Sequence, residues 1–264
     1  MQFFRNQVSR LRALALRCIR FLRISFLELR AESRSTVLGV FWIPLSSILF
    51  ALVLSILFHP NRAGDGDNFF LYVLVGYSLW QFIAATINGS IGLLQSQLDN
   101  AVHNGLSLSG LYLKSLSDRF VELVLNLGTC FLAVLWLHPA SLGATTMIVP
   151  AVLIALATSL AVSYLISLAV TFLPDLGRLI KTGTRFLFFA SPVFWSIGAT
   201  DQPIRVAIYS FNPVSYYLDI IRQAFGIAPL DLTAWAIAGS MSFLLAAAGW
   251  VAFAKTRTIV TNIK

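Results

Sequence analysis

The sequence predicts an all-α integral membrane protein. Six transmembrane helices are preceded by an N-terminal amphipathic interfacial helix, with re-entrant outer helices between spans five and six. Three observations carry this. First, 58% of the 264 residues are hydrophobic and 11% are charged, with a mean hydropathy of +0.80; globular domains carry about 25% charge. Second, the apolar residues gather into stretches near the roughly 20 residues that a bilayer requires. Third, lysine and arginine alternate between the two sides of those stretches.

Residues 1–34 hold eight arginines (Arg5, Arg10, Arg12, Arg17, Arg20, Arg23, Arg30, Arg34) against Glu28 and Glu32. At 100° per residue Leu11, Leu14, Ala15, Cys18, Phe21, Leu22, Phe26 and Leu29 share one face, which describes a basic helix lying in a membrane interface. A signal peptide would have a shorter basic region and a small-residue cleavage site after the apolar run.

Span one is expected over 37–58, with Pro44 in its first third, and the polar loop 59–68 ends it. Span two covers about 69–92 and is rich in aromatic residues, with Gln81, Thr86, Asn88 and Ser90 in its second half. Residues 93–116 are too polar to span; Asp99, Asn100 and Asn104-Gly105 mark a turn between two short helical pieces. Span three runs from about Ser117 to Leu137, and His138-Pro139 stops it. Span four, about 144–172, repeats small residues at Ala151, Ala155, Ser159, Ser163 and Ser167, a close-packing face in membranes. Span five, about 183–199, follows the basic turn Arg178, Lys181, Arg185 and is kinked at Ser191-Pro192. Span six, about 232–253, repeats the small stripe at Ala234, Ala238, Ser242 and Ala246. The organisation is thus an interfacial segment 1–34, a six-span transmembrane domain 35–253 and a tail 254–264.

With both termini on the cytoplasmic side, all but Arg62, Arg205 and Arg222 of the 19 lysines and arginines fall inside, as the positive-inside rule requires. The net charge of +8 therefore reflects topology and not a nucleic-acid surface.

Catalysis finds little support. A membrane enzyme needs converging acidic, histidine or cysteine groups. His59, His103 and His138 have no metal spacing, and Cys18 and Cys130 lie at different levels. KTG at 181–183 lacks the companions of a penicillin-binding site, and no phosphate-binding G-x-x-x-x-G-K-[ST] loop is present. The charges within Asp118/Arg119/Glu122, Asp175/Arg178 and Asp219/Arg222 are spaced for local pairing. Aromatic residues suit a path for a sliding polar cargo, because ring faces stack on the CH faces of sugars through many weak contacts.

Four stretches resemble one family. RSTVLGVFWIPLSSIL (34–49), FLPDLGRLI (172–180), FFASPVFWSI (188–197) and NPVSYYLDIIRQAFG (212–226) are similar, in order, to motifs of type-2 ABC exporter permeases of the polysaccharide and polyol-phosphate branch. The sequence departs from that pattern at Leu173-Pro174, where an arginine is common, and at Asp219, where glutamate is usual.

The resemblance implies a homodimeric channel in a bacterial cytoplasmic membrane, joined by two copies of a separate ATPase. ATP would bind those partners, and no cofactor this chain. The cargo would be a lipid-linked polysaccharide of O-antigen, capsule or teichoic-acid type. Asp99, Asn100, His103 and Asn104 would form the ATPase-coupling segment. Tyr77, Trp80, Phe188, Phe189, Phe194 and Trp195 would line the channel. Tyr216, Tyr217, Asp219 and Arg222 would form the outer gate. A small-lipid or drug exporter of the same superfamily is the alternative, and a membrane enzyme acting on lipid-linked sugars the third reading. A reporter fused after Lys264 is expected to be active only in the cytoplasm; activity confined to the periplasmic side would invert the topology.

Overall fold

Proline and glycine set the ends of the long apolar stretches. The computed structural model describes residues 2–58, 66–95, 107–138, 145–196 and 202–262, and these are helical, without strands. We label the helices α1 (Gln2–Glu32), α2 (Trp42–Phe58), α3 (Gly66–Ser90), α4 (Leu108–Leu137), α5 (Ile148–Phe172), α6 (Asp175–Ala190), α7 (Pro203–Phe211), α8 (Pro213–Ala224) and α9 (Leu232–Asn262). The chain is an all-α, multi-pass membrane protein. Among the described residues five helical segments are long and apolar enough to cross a bilayer: Gly39–Phe58, Phe69–Ser90, Leu108–Leu137, Thr145–Phe172 and Leu232–Thr256.

The stretch expected as span five differs. Its helix, α6, starts earlier, at Asp175, and stops at Ala190 after 16 residues. Pro192 is the cause: it holds Ser191 in an extended conformation (φ −90°, ψ 144°). Span three also begins earlier than expected. Ser107 caps α4 by accepting from the Gly110 amide, so residues expected as a separate helical piece are its first turns. Pro44 and Pro150 sit in the first turns of α2 and α5, where an amide has no helical partner to lose.

α1 lies against α4. Ser25 is buried, and Cys18, Phe21, Leu22 and Leu29 around it are half-buried. Phe26, expected on the packed face, is 44% exposed. Lys114 on α4 closes the contact, 2.6 Å from Glu28 and 2.5 Å from Asp118.

Between the apolar helices the adhesive is polar, because in a membrane lipid tails compete equally for apolar surfaces. The α5 stripe Ala151, Ala155, Ser159, Ser163 and Ser167 is buried. Ser159 bonds Thr86 (2.9 Å) and Ser163 bonds Ser90 (2.7 Å), while Ser167 bonds Tyr112. Arg119, expected to pair with its neighbours in sequence, instead donates toward Ser163 (3.4 Å) and lies over Gly89. Beside α2, Ser47 donates to Asn126 (2.8 Å), which donates to Gln81 (3.1 Å).

The second small stripe brings α9 onto α5. A Cβ at Gly249 would stand 3.2 Å from the Ala161 Cα and 3.1 Å from its Cβ, so the backbones approach as closely as side chains allow. We predict that Gly249→Val pushes the two helices apart and costs about 1–3 kcal/mol, measured as detergent unfolding, with Gly249→Ala milder. An unchanged unfolding midpoint for the valine variant would contradict this packing.

Candidate functional site

The break after α6 leaves helix-end carbonyls without amide partners, and such groups away from water must be satisfied by other means. Two residues of the segment 212–226 do this. Asn212 lies between α7 and α8 with an extended backbone before Pro213. Its Oδ1 accepts from the Val214 amide (3.0 Å), capping α8, while its Nδ2 donates to Ala190 O (3.1 Å) and Ser191 Oγ (2.9 Å). One side chain therefore starts one helix and secures the end of another.

Arg222, nearly three turns further along α8, is 0% exposed. Its Nη2 donates to Pro192 O (2.7 Å) and Val193 O (3.1 Å), and its Nε to Tyr72 O (3.2 Å). The guanidinium carbon lies 3.5 Å from the Tyr72 ring centroid, a cation–π contact. The Tyr72 hydroxyl donates in turn to Trp195 O (3.0 Å). Room for the guanidinium comes from Gly76, one turn along α3: a Cβ there would overlap Nη2. α8 then ends in a Schellman turn at Gly226 (φ +69°), with the Ile227 amide bonded to Arg222 O (3.0 Å) and the Gly226 amide to Gln223 O (2.9 Å).

Asp219 sits 3.9 Å from Arg222 Nη1, beyond hydrogen-bond distance, and accepts from the Tyr209 hydroxyl instead. The expected pair is thus a loose one, and each member has a closer partner. Tyr216 donates to Ser210 O (2.9 Å), holding α8 to α7. The buried Tyr217 hydroxyl bonds Ser242 (2.8 Å) and Thr158 (3.0 Å), tying α8 to α9 and α5. Gln223 Oε1 accepts from the Asp231 amide (3.0 Å) and Trp235 Nε1 (2.8 Å), which positions the start of α9. The segment expected as an outer gate is therefore stitched to α3, α5, α6 and α9.

Five of the six aromatic residues singled out from the sequence form one patch. Phe188 lies 5.5 Å from Trp80, 6.4 Å from Tyr77, 5.3 Å from Phe189 and 5.6 Å from Phe194. Phe50 stacks on Tyr77 at 4.1 Å. Trp80 is buried, whereas Phe189 is 66% exposed. Trp195, the sixth, donates from Nε1 to Phe189 O (3.2 Å) and lies 5.4 Å beneath Arg205. Asp99, Asn100, His103 and Asn104 lie outside the described residues.

Sequence reasoning did not single out Tyr72, Gly76, Asn212 or Gln223 for this site. Only Asn212-Pro213 carried a usable signal, a cap residue followed by proline. Among the described residues no three His, Cys, Asp or Glu side chains gather as a metal site would require.

The chain is similar to an O-antigen export permease. It is 22% identical over 188 residues to the O-antigen export system permease protein RfbA of Myxococcus xanthus, covering 71% of this chain and 72% of the relative. That similarity agrees with the resemblance to type-2 ABC exporter permeases. No protein-family model matches the chain.

The guanidinium in the Gly76 notch makes a double-variant test. Arg222→Ala should cost about 3 kcal/mol by leaving buried carbonyls unsatisfied, and Gly76→Ala about 2 kcal/mol by crowding. Together they should cost less than the sum, because the new methyl fills the vacated space. Strictly additive unfolding energies would show that the two residues do not share this space.

Proposed function

We propose that this chain is the membrane-spanning channel subunit of an ATP-driven exporter, moving a lipid-linked polysaccharide of O-antigen type across the cytoplasmic membrane of a bacterium. The observation that carries the reading is the similarity to an O-antigen export permease along nearly three-quarters of both chains. The site supports it. A long polar polymer needs a path whose walls hold sugars without trapping them. An aromatic patch offers that, because each stacking contact is small and the next ring is near.

In this reading two copies of the chain enclose the path, and two copies of a separate ATPase drive it from the cytoplasm. Residues 1–34 lie in the cytoplasmic interface, 35–253 form six spans, and 254–264 return to the cytoplasm. Tyr77, Trp80, Phe188, Phe189, Phe194 and Trp195 face the polymer at some stage of transport. Asp99, Asn100, His103 and Asn104 transmit the ATPase stroke. The segment 201–226 dips back from the outer side, where irregular backbone is tolerated against protein, and Tyr216, Tyr217, Asp219 and Arg222 hold it closed. This chain acts as a transport subunit, and the chemistry of ATP belongs to its partner.

Deletion of the chain is expected to leave lipid-linked polymer accumulating on the cytoplasmic side of the membrane, with surface polymer restored by the wild-type chain together with its ATPase. Unaltered surface polymer and no accumulated intermediate would refute the reading.

A further inference from the structure

α6 carries three cations on its unpacked side. Arg178, Lys181 and Arg185 are exposed, whereas Gly177 and Thr184, about 80° around the helix from the middle of that row, are buried. At 100° per residue the three fall within about 60° of one another. Phe189, one turn beyond Arg185 and also exposed, continues the row into the aromatic patch. The expected partner of Arg178, Asp175, forms no ion pair with it, and among the described residues none of the three has a carboxylate within 4 Å. Like charges spaced i,i+3 and i,i+4 repel one another, and among the described residues no carboxylate compensates the row.

A basic flank that only orients a helix has no need to climb along it. This one does. Gly177 packs against Ile91, just past the end of α3, and Phe188 packs against Trp80 in its middle. Arg185 therefore lies about 12 Å along α6 from Gly177, at 1.5 Å per residue, one turn short of the level of Trp80. In the export reading that level lies within the bilayer, where a guanidinium facing hydrocarbon would be costly and ionisable groups mark paths for polar cargo.

We propose that Arg178, Lys181 and Arg185 form a binding row for the phosphate or pyrophosphate that joins a glycan to its lipid carrier. The inference rests on the export reading and adds the residues that would recognise the cargo's anion. Charge complementarity selects the occupant: a diphosphate brings two or more negative charges and several acceptor oxygens, matched by two guanidinium forks and an ammonium. The first sugars would then lie beside Phe189, on the same face of the helix.

The test uses the full chain with its ATPase in phosphatidylcholine nanodiscs and a radiolabelled polyprenyl pyrophosphate as probe. Wild type should bind the probe more tightly with falling ionic strength. Arg178→Gln/Lys181→Gln/Arg185→Gln should weaken binding at least tenfold, while the corresponding polyprenol without phosphate binds both proteins alike. Arg185→Lys, which keeps the charge, should retain most of the affinity that Arg185→Gln loses. Unchanged affinity in the triple variant would overturn the proposal. So would equal competition by phosphatidylglycerol, which would make the row an ordinary anionic-lipid contact. Equal binding of free pyrophosphate, or loss of subunit assembly on size exclusion of Arg185→Gln, would also overturn it. If any of these occurs while the deletion strain still accumulates lipid-linked polymer, the row fails and the export reading stands. Absence of that accumulation would remove the export reading itself.

Discussion

Arg222 holds a permanent charge where no water reaches it, and the arrangement around the break in α6 follows from satisfying that charge. A buried guanidinium needs acceptors in the plane of its fork. A helix broken by Pro192 releases acceptors that need donors. Each defect would be costly alone; facing each other, they largely offset, with only Arg222 Nη1 left without a hydrogen-bond partner among the described residues around it. The Tyr72 ring and the Gly76 notch then fix the distance between α3 and α8, since only a glycine leaves room for the guanidinium at that level. α8, the end of α6 and α3 thus form one unit, joined chiefly through Arg222 with Asn212 and Tyr72 beside it.

Polar groups hold the remaining spans as well. Ser and Thr hydroxyls on α3, α5 and α9 bond one another across close-packed small-residue faces, and Ser47, Asn126 and Gln81 do the same among α2, α3 and α4. Such bonds are individually worth about 1 kcal/mol in membrane bundles. Their value lies in register. A hydroxyl that misses its partner is left unsatisfied in an apolar surrounding, so helices that slide lose several bonds together. α1 is different: it lies beside α4 through Lys114 and a strip of half-buried apolar residues around Ser25.

The break has a consequence for the helix that precedes it. Ending at Ala190 leaves α6 with 16 residues, basic along one side and aromatic at its C-terminal end. The same Pro192 that releases carbonyls for Arg222 turns Phe194 back toward Phe188 and α2, where it meets Phe58 at 4.9 Å. In an exporter a wall of this kind would present charge first and ring faces next to a cargo moving along it.

Composition and periodicity were enough to establish an all-helical membrane chain, because a bilayer demands long apolar runs and leaves few alternatives. They placed most helix ends within a few residues, as at His138 and Asn212, where local stop and start chemistry is legible, but missed the start of α4 at Ser107, ten residues before the expected Ser117. They located the small-residue faces on α5 and α9, since a four-residue spacing is a property of the helix itself. The extent of α6 was misjudged, because hydropathy responds to Phe194 and Trp195 and not to the backbone turn that Pro192 imposes. The partners of Arg222 were decided only by the tertiary structure. Its acceptors are carbonyls 29, 30 and 150 residues away, and a backbone carbonyl has no sequence signature. Spacing pointed to Asp219 because i,i+3 neighbours are the ones a sequence can display. The closer partners came from two other elements, α3 and the turn after α6, and only folding brings those to one place.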